Sequence, residues 1–344
     1  MNKLKYTHPM QQREDQQARS PLVTPGDLEY ILAAGLMLGL RLLPASRRVG
    51  VVDRLSRGLG ALWHKSNMRN VGLVRTNLGT LFPGRWSDAE IESHIRRLLT
   101  LTAWNSLMID LLPALPDERA ANLIPLDQIH HLDEALARGK GVLLLGAHLG
   151  AFAYVIAATL FARRYPVCEV GFGGRPKPGS SLFYRRLYWP RVMGMRQHFN
   201  VIDPQDGPQR ALLDALRGGQ VLYLLPDEYF IVEPGQPSPP HLVPVEFLGR
   251  VVHIETGGLR LAKRLGAEVM TALPVQEGQL QRVLIEPLNF ATSGTTPQEL
   301  AQDMRAFMAL LETRIQAQPF LWRDLRRHDL FERLREPQLL GTRE

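Results

Sequence analysis

The sequence predicts an α/β fold: a mixed, largely parallel sheet flanked by helices, with a helical region ahead of it. Three observations carry this. Short apolar runs alternate with amphipathic stretches from Leu132 onward, the pattern of strand and crossover helix. The stretch from Pro44 to about Leu112 shows helical patterning instead. The apolar run Val142–Leu145 ends in small residues and delivers His148 at its tip, just before the helix-like stretch Phe152–Leu160. A histidine between a buried strand and a helix suits a general base; its plainer role is a turn residue satisfied by backbone groups.

The elements follow in order. The first 27 residues are polar around Gln11-Gln12-Arg13-Glu14-Asp15-Gln16-Gln17 and read as a disordered tail with no signal peptide. The uncharged run Tyr30–Leu40 is shorter than the roughly 20 residues that cross a bilayer. With Arg41, Arg47 and Arg48 behind it, the run fits a buried helix, an interfacial helix or a short anchor. Arg54, Arg57, Lys65, Arg69 and Arg75 alternate with Leu55, Leu59, Leu62, Trp63 and Val71. That basic side is either a solvated face or a contact for lipid phosphates or an acidic carrier. Ser87-Asp88-Ala89-Glu90 forms a capping box opening another helix. Pro113–Pro125, with three prolines, reads as a connector.

The alternating region then predicts helix Leu132–Arg138, strand Val142–Leu145, helix Phe152–Ala162 and strand Val167–Val170. A helix near Leu182–Val192 precedes strand Phe199–Ile202. Helix Pro208–Leu216 leads to strand Val221–Leu225, and helix Thr256–Leu265 to strand Glu268–Leu273. Strand Arg282–Ile285 and helix Thr296–Gln316 complete the pattern. Glu233–Pro240 holds four prolines and a glycine, and is a loop: a lid or a variable surface segment. The resulting division is tail 1–27, helical region 28–112, α/β domain 113–335 and tail 336–344.

Composition sets bounds on function. With 344 residues, 45% of them hydrophobic, the chain can bury a sizeable core. A net charge of +7 suits anionic partners, or serves solubility alone. Cys168 is the one cysteine, so an intrachain disulfide and a cysteine metal cluster are excluded. His130-His131 and His198 lack metal-site spacing. Gly171-Phe172-Gly173-Gly174 matches neither phosphate-loop nor dinucleotide spacing, and no nucleic-acid module is present.

An ordered set of motifs runs along the chain: Asn77-Leu78 with Phe82-Pro83, then Gly146-Ala147-His148-Leu149-Gly150, then Arg175-Pro176. Leu225-Pro226-Asp227-Glu228-Tyr229-Phe230, Val245-Glu246-Phe247-Leu248-Gly249, Gly257–Gly266 with Pro274, and Leu321-Trp322-Arg323 follow. Over roughly Leu28 to Glu332 the chain resembles the lipid A biosynthesis acyltransferases of the lysophospholipid acyltransferase superfamily. The resemblance implies a cofactor-free, membrane-attached enzyme on the cytoplasmic face of the inner membrane. Its donor would be an acyl carrier protein or acyl-CoA, and its acceptor a lipid or glycolipid hydroxyl.

On that reading His148 is the catalytic base, with Asp227 and Glu228 as further candidates. Arg175 binds an acceptor phosphate, and Gly150 and Phe152 line the substrate site with Tyr154. Glycines 146 and 150 allow close backbone approach, and amides at the following helix start help hold an oxyanion. One departure stands out. The family's histidine is followed, after four intervening residues, by Asp or Glu, and here that fifth position is Ala153. A base without an orienting carboxylate loses orders of magnitude in rate. Either Asp227 or Glu228 replaces the missing charge, or the chain is a degenerate member that binds lipid or regulates a partner.

Overall fold

A computed structural model describes residues 21–24, 27–66, 70–151, 153–171, 180–196, 200–202, 209–228, 239, 241–278, 280–290, 293–328 and 330. Four helices come first: α1 (Asp27–Arg41), α2 (Ala45–Lys65), α3 (Val71–Leu81) and α4 (Asp88–Leu111). The capping box at the start of α4 is formed: Ser87 N donates to Glu90 Oε2 at 2.8 Å while Ser87 Oγ accepts from Glu90 N at 3.4 Å. These two bonds satisfy amides that the first helical turn leaves orphaned. Helices α2 and α4 cross closely at Gly60, where a Cβ would lie within 2.5–2.8 Å of Thr100. Any larger residue there would force the pair apart.

The connector Pro113–Pro125 is more ordered than its composition predicts. It holds a 3₁₀ turn, Leu112–Ala114, and a short helix α5 (Asp117–Ala121) that packs on a later helix of the sheet layer. Its first two prolines sit at the starts of these turns, where a missing N–H costs nothing. Next come β1 (Leu126–Asp127), α6 (His130–Ala137), β2 (Val142–Leu145), α7 (Ala153–Ala162) and β3 (Val167–Val170). A π-helical turn, Tyr184–Tyr188, runs into α8 (Trp189–Arg196), followed by β4 (Asn200–Ile202), α9 (Gln209–Arg217) and β5 (Val221–Leu224). The chain continues through β6 (Leu242–Phe247), β7 (Arg250–Glu255), α10 (Gly257–Leu265), β8 (Glu268–Glu277), β9 (Leu280–Pro287) and α11 (Pro297–Ala317). Two 3₁₀ turns, Pro319–Leu321 and Arg323–Arg326, close the described fold.

Seven strands make one sheet in the order β1-β9-β8-β2-β5-β3-β4. Strands β8, β2, β5, β3 and β4 are mutually parallel, whereas β9 is antiparallel to β8 and carries β1 parallel to itself. The sheet is therefore mixed and largely parallel, as the alternating pattern predicts. Strand β2 is central and buried along its whole length, which explains its unbroken apolar run. Leu143, Leu145 and Leu222 face the layer of α10 and α11; Val142, Leu144 and Tyr223 face the layer of α7 and α4.

The hairpin β6–β7 lies outside the sequence expectation. Its two-residue turn places Leu248 at φ 52° and Gly249 at φ 70°, both left-handed. Such turns ordinarily announce themselves by Asn-Gly or Asp-Gly. Leu248 hides this one.

Helix α1 buries Leu40 against the core but leaves Ile31 and Leu38 exposed, and Leu42, just beyond its end, is 87% exposed. Among the described residues no helix is long and apolar enough to cross a membrane.

Between α10 and α11, Lys263 Nζ pairs with Asp303, and the two side chains are 6% and 0% exposed. Removing one partner strands a charge in the interior. Lys263→Met is expected to cost about 3–5 kcal/mol, and Lys263→Met with Asp303→Leu much less. Urea unfolding measures both, and a harmless single variant would mean that the pair is solvated.

Candidate active site

The sheet itself brings the central pair together. Strands β2 and β5 are adjacent and parallel, with Leu145 opposite Leu224. His148 and Asp227 each lie three positions beyond those partners, so both emerge at the same carboxyl edge of the sheet. Gly146 permits the close approach: a Cβ there would sit 2.5 Å from the Tyr223 hydroxyl. Asp227 Oδ1 is 2.8 Å from His148 Nδ1, and its Oδ2 accepts the His148 backbone N–H at 2.7 Å. One carboxylate thus fixes both ends of one residue.

Asp227 is fully buried, while His148 keeps 17% of its side chain exposed. Burial works against the charged form of Asp227. The His148 ring, its backbone amide and the Arg323 charge outweigh burial and hold the carboxyl below its ordinary value. An ionised carboxylate accepts and cannot donate, so His148 Nδ1 carries a proton, and in the neutral ring Nε2 is left with its lone pair.

The turn after His148 is stapled to the end of the chain. Gly150 N donates to Leu321 O at 2.8 Å and Arg323 N to His148 O at 3.0 Å, an antiparallel bridge between Leu149 and Trp322. Trp322 is fully buried and meets Phe247 edge-on, with ring centroids 5.9 Å apart. From the other side, Asn105 Nδ2 donates to Gly150 O at 2.9 Å, and Ala151 N donates to Gln281 Oε1 at 2.9 Å. The amides of His148, Gly150 and Ala151 are therefore already spent. Gly150 has φ +56°, and a Cβ on it would lie 2.7 Å from Pro274 Cβ.

Glu228 takes a different place from its neighbour. Its carboxylate lies 3.6 Å from Arg323 and 3.7 Å from Arg327, turned toward the terminal 3₁₀ segment. Ala153 opens α7 and is buried. Arg175 and Phe152 lie outside the described residues, as does most of the proline loop Glu233–Pro240. Asn105, Gln281 and Arg327 were not singled out by the sequence: each acts from more than 40 positions away, and no local pattern marks them. Among the described residues no group of three or more His, Cys, Asp or Glu could hold a metal ion.

A family model described as bacterial lipid A biosynthesis acyltransferase matches residues 21–328. The chain belongs to that family. The lipid A biosynthesis lauroyltransferase of Escherichia coli (strain K12) is 25% identical over 229 residues, covering 65% of this chain and 67% of that protein. The family is one of acyltransferases acting on a lipid or glycolipid. The residue five positions after His148 is Ala153, and the carboxylate on the imidazole comes from Asp227 at the end of the neighbouring strand β5.

Two expectations follow. Gly150→Ala adds a clash at a left-handed position and should cost more than about 1 kcal/mol in thermal unfolding. A cost near zero would mean that the turn relaxes freely. Asp227→Asn removes a carboxylate whose folded pKa is depressed. Such a group contributes stability above its unfolded value of about 3.9 and loses it as pH falls through the folded value. The stability gap to wild type should be level near neutrality and shrink in more acidic solution. Unfolding curves that keep a constant gap throughout would show that Asp227 is not the titrating group.

Proposed function

We propose that this chain transfers a fatty acyl group from an acyl carrier protein or acyl-CoA thioester to a hydroxyl of a lipid or glycolipid, at the cytoplasmic face of the inner membrane. The observation that carries the reading is Asp227 on His148 Nδ1. His148 Nε2 takes the proton from the acceptor hydroxyl as its oxygen attacks the thioester carbonyl. A tetrahedral oxyanion forms. Its collapse breaks the carbon–sulfur bond, and the departing thiolate takes the proton back from Nε2. Asp227 keeps the ring oriented and stabilises the transient imidazolium, as a carboxylate does in the serine-hydrolase triad.

The N-terminal end of α7 points positive dipole at this region and supplies the oxyanion donors. Arg175 holds an acceptor phosphate, and Phe152 and Tyr154 wall the acyl chain. Ala153 favours a non-catalytic relative, but Asp227 supplies the contact that Ala153 lacks. The exposed Ile31 and Leu38 fall on one stripe of α1 and the exposed Leu42 follows its end, with exposed Arg41, Arg47, Arg54, Arg57 and Lys65 nearby in sequence. That combination suits an interfacial seat on an anionic bilayer rather than a span.

The test is lipid mass spectrometry on the native host, with a deletion strain complemented by wild type or variants. Wild type should restore an acylated species. His148→Ala should abolish it, and Asp227→Asn should lower the initial rate of purified protein by about 10²–10⁴. Equal restoration by His148→Ala would end the catalytic reading.

A further inference from the structure

We propose that Arg323 and Arg327 form an anion subsite beside the His148–Asp227 pair, which takes a phosphate of one substrate. The proposal rests on reading the site as one for acyl transfer and names the group that orients a substrate there. The phosphate belongs either to the lipid acceptor's headgroup or to the phosphopantetheine arm shared by both thioester donors.

Position comes first. Arg323 N donates to His148 O at 3.0 Å, so the root of that side chain is fixed to the base's own backbone. Asn77 Nδ2 holds Leu325 O at 2.9 Å and Arg327 O at 3.3 Å, which fixes the second root. Trp322, just before Arg323, and Leu325, between the two arginines, are fully buried and anchor the 3₁₀ segment. The guanidinium side chains remain 29% and 23% exposed. The His148 side chain is 17% exposed, and the Arg323 charge acts on Asp227, its partner.

Charge comes second. Asp324 is almost fully buried and braces Arg323 through bonds at 3.2 and 3.3 Å. Glu228 lies between the two arginines at 3.6 and 3.7 Å, within ion-pair range but longer than a hydrogen bond. At 34% exposure it is the most exposed carboxylate of the group, and it occupies the place an anion would take. A phosphate brings more charge and three acceptor oxygens to two planar donor forks, so it displaces Glu228. Holding the phosphate there restricts the substrate beside Nε2, which converts binding into orientation.

The test uses full-length protein in detergent and calorimetric titration with inorganic pyrophosphate. Wild type and His148→Ala should bind alike. Arg323→Gln with Arg327→Gln should weaken binding about tenfold or more, and Glu228→Gln should tighten it. A gain of affinity cannot come from misfolding, so Glu228→Gln keeps the test sound if the double variant is unstable. Equal binding by all variants, or no binding by wild type, overturns the proposal. Acyl-transfer kinetics of Arg327→Gln then assign the source. A raised KM for acceptor alone marks the headgroup, and a raised KM for donor alone marks the phosphopantetheine arm. Both KM values unchanged overturns the subsite. Pyrophosphate binding in the expected pattern by a wild-type protein that transfers no acyl group would instead sink the catalytic reading and leave the anion site standing.

Discussion

The two-oxygen grip of Asp227 on His148 is the contact on which the site depends. A single hydrogen bond to Nδ1 would leave the ring free to swing about its backbone. With the second oxygen on the His148 amide, ring and backbone are fixed to the same rigid group. The grip is possible only because β2 and β5 are neighbours in register, and because Gly146 lets Tyr223 pass under the turn. The sheet order is therefore part of the chemistry, and the helices serve to hold that order.

Much of the architecture is legible in the sequence, for a physical reason. A parallel strand buried on both faces is apolar along its length, so Val142–Leu145 stands out with its observed bounds, and Val167–Val170 does so despite the buried Glu169 within it. The cap at Ser87 is equally visible, because its bonds join residues three apart. What escapes is whatever depends on backbone geometry or distant partners. The β6–β7 turn puts a leucine where φ is positive, and nothing in a leucine signals that. The connector prolines look like breakers, although they sit where a turn tolerates them.

The site divides along the same line. His148 is visible because a strand end and small residues frame it. Asp227 and Glu228 are visible as a pair, but the sequence cannot separate them: adjacent residues at a strand end point different ways, and only the fold decides which meets the imidazole. Asn105, Gln281 and Arg327 reach the turn from other elements. Their roles follow from contacts across the chain, and residue type alone carries no trace of that.

The alanine at 153 changes how the dyad is supported. A carboxylate at that position would lie on the same chain segment as the histidine, so a local turn and helix start would set their geometry. With the carboxylate on Asp227, the pair spans two strands, and its geometry rests on the β2–β5 ladder and the staple from Leu321–Arg323. Tyr223 fits this arrangement. Burial first, and then the nearby Glu169 and Asp227 charges, push its phenol well above the ordinary value, so it stays neutral. A phenol kept neutral adds no second negative charge beside Asp227, whose two oxygens both serve the histidine. The contact is tertiary, and so the geometry of the pair depends on the stability of the sheet centre.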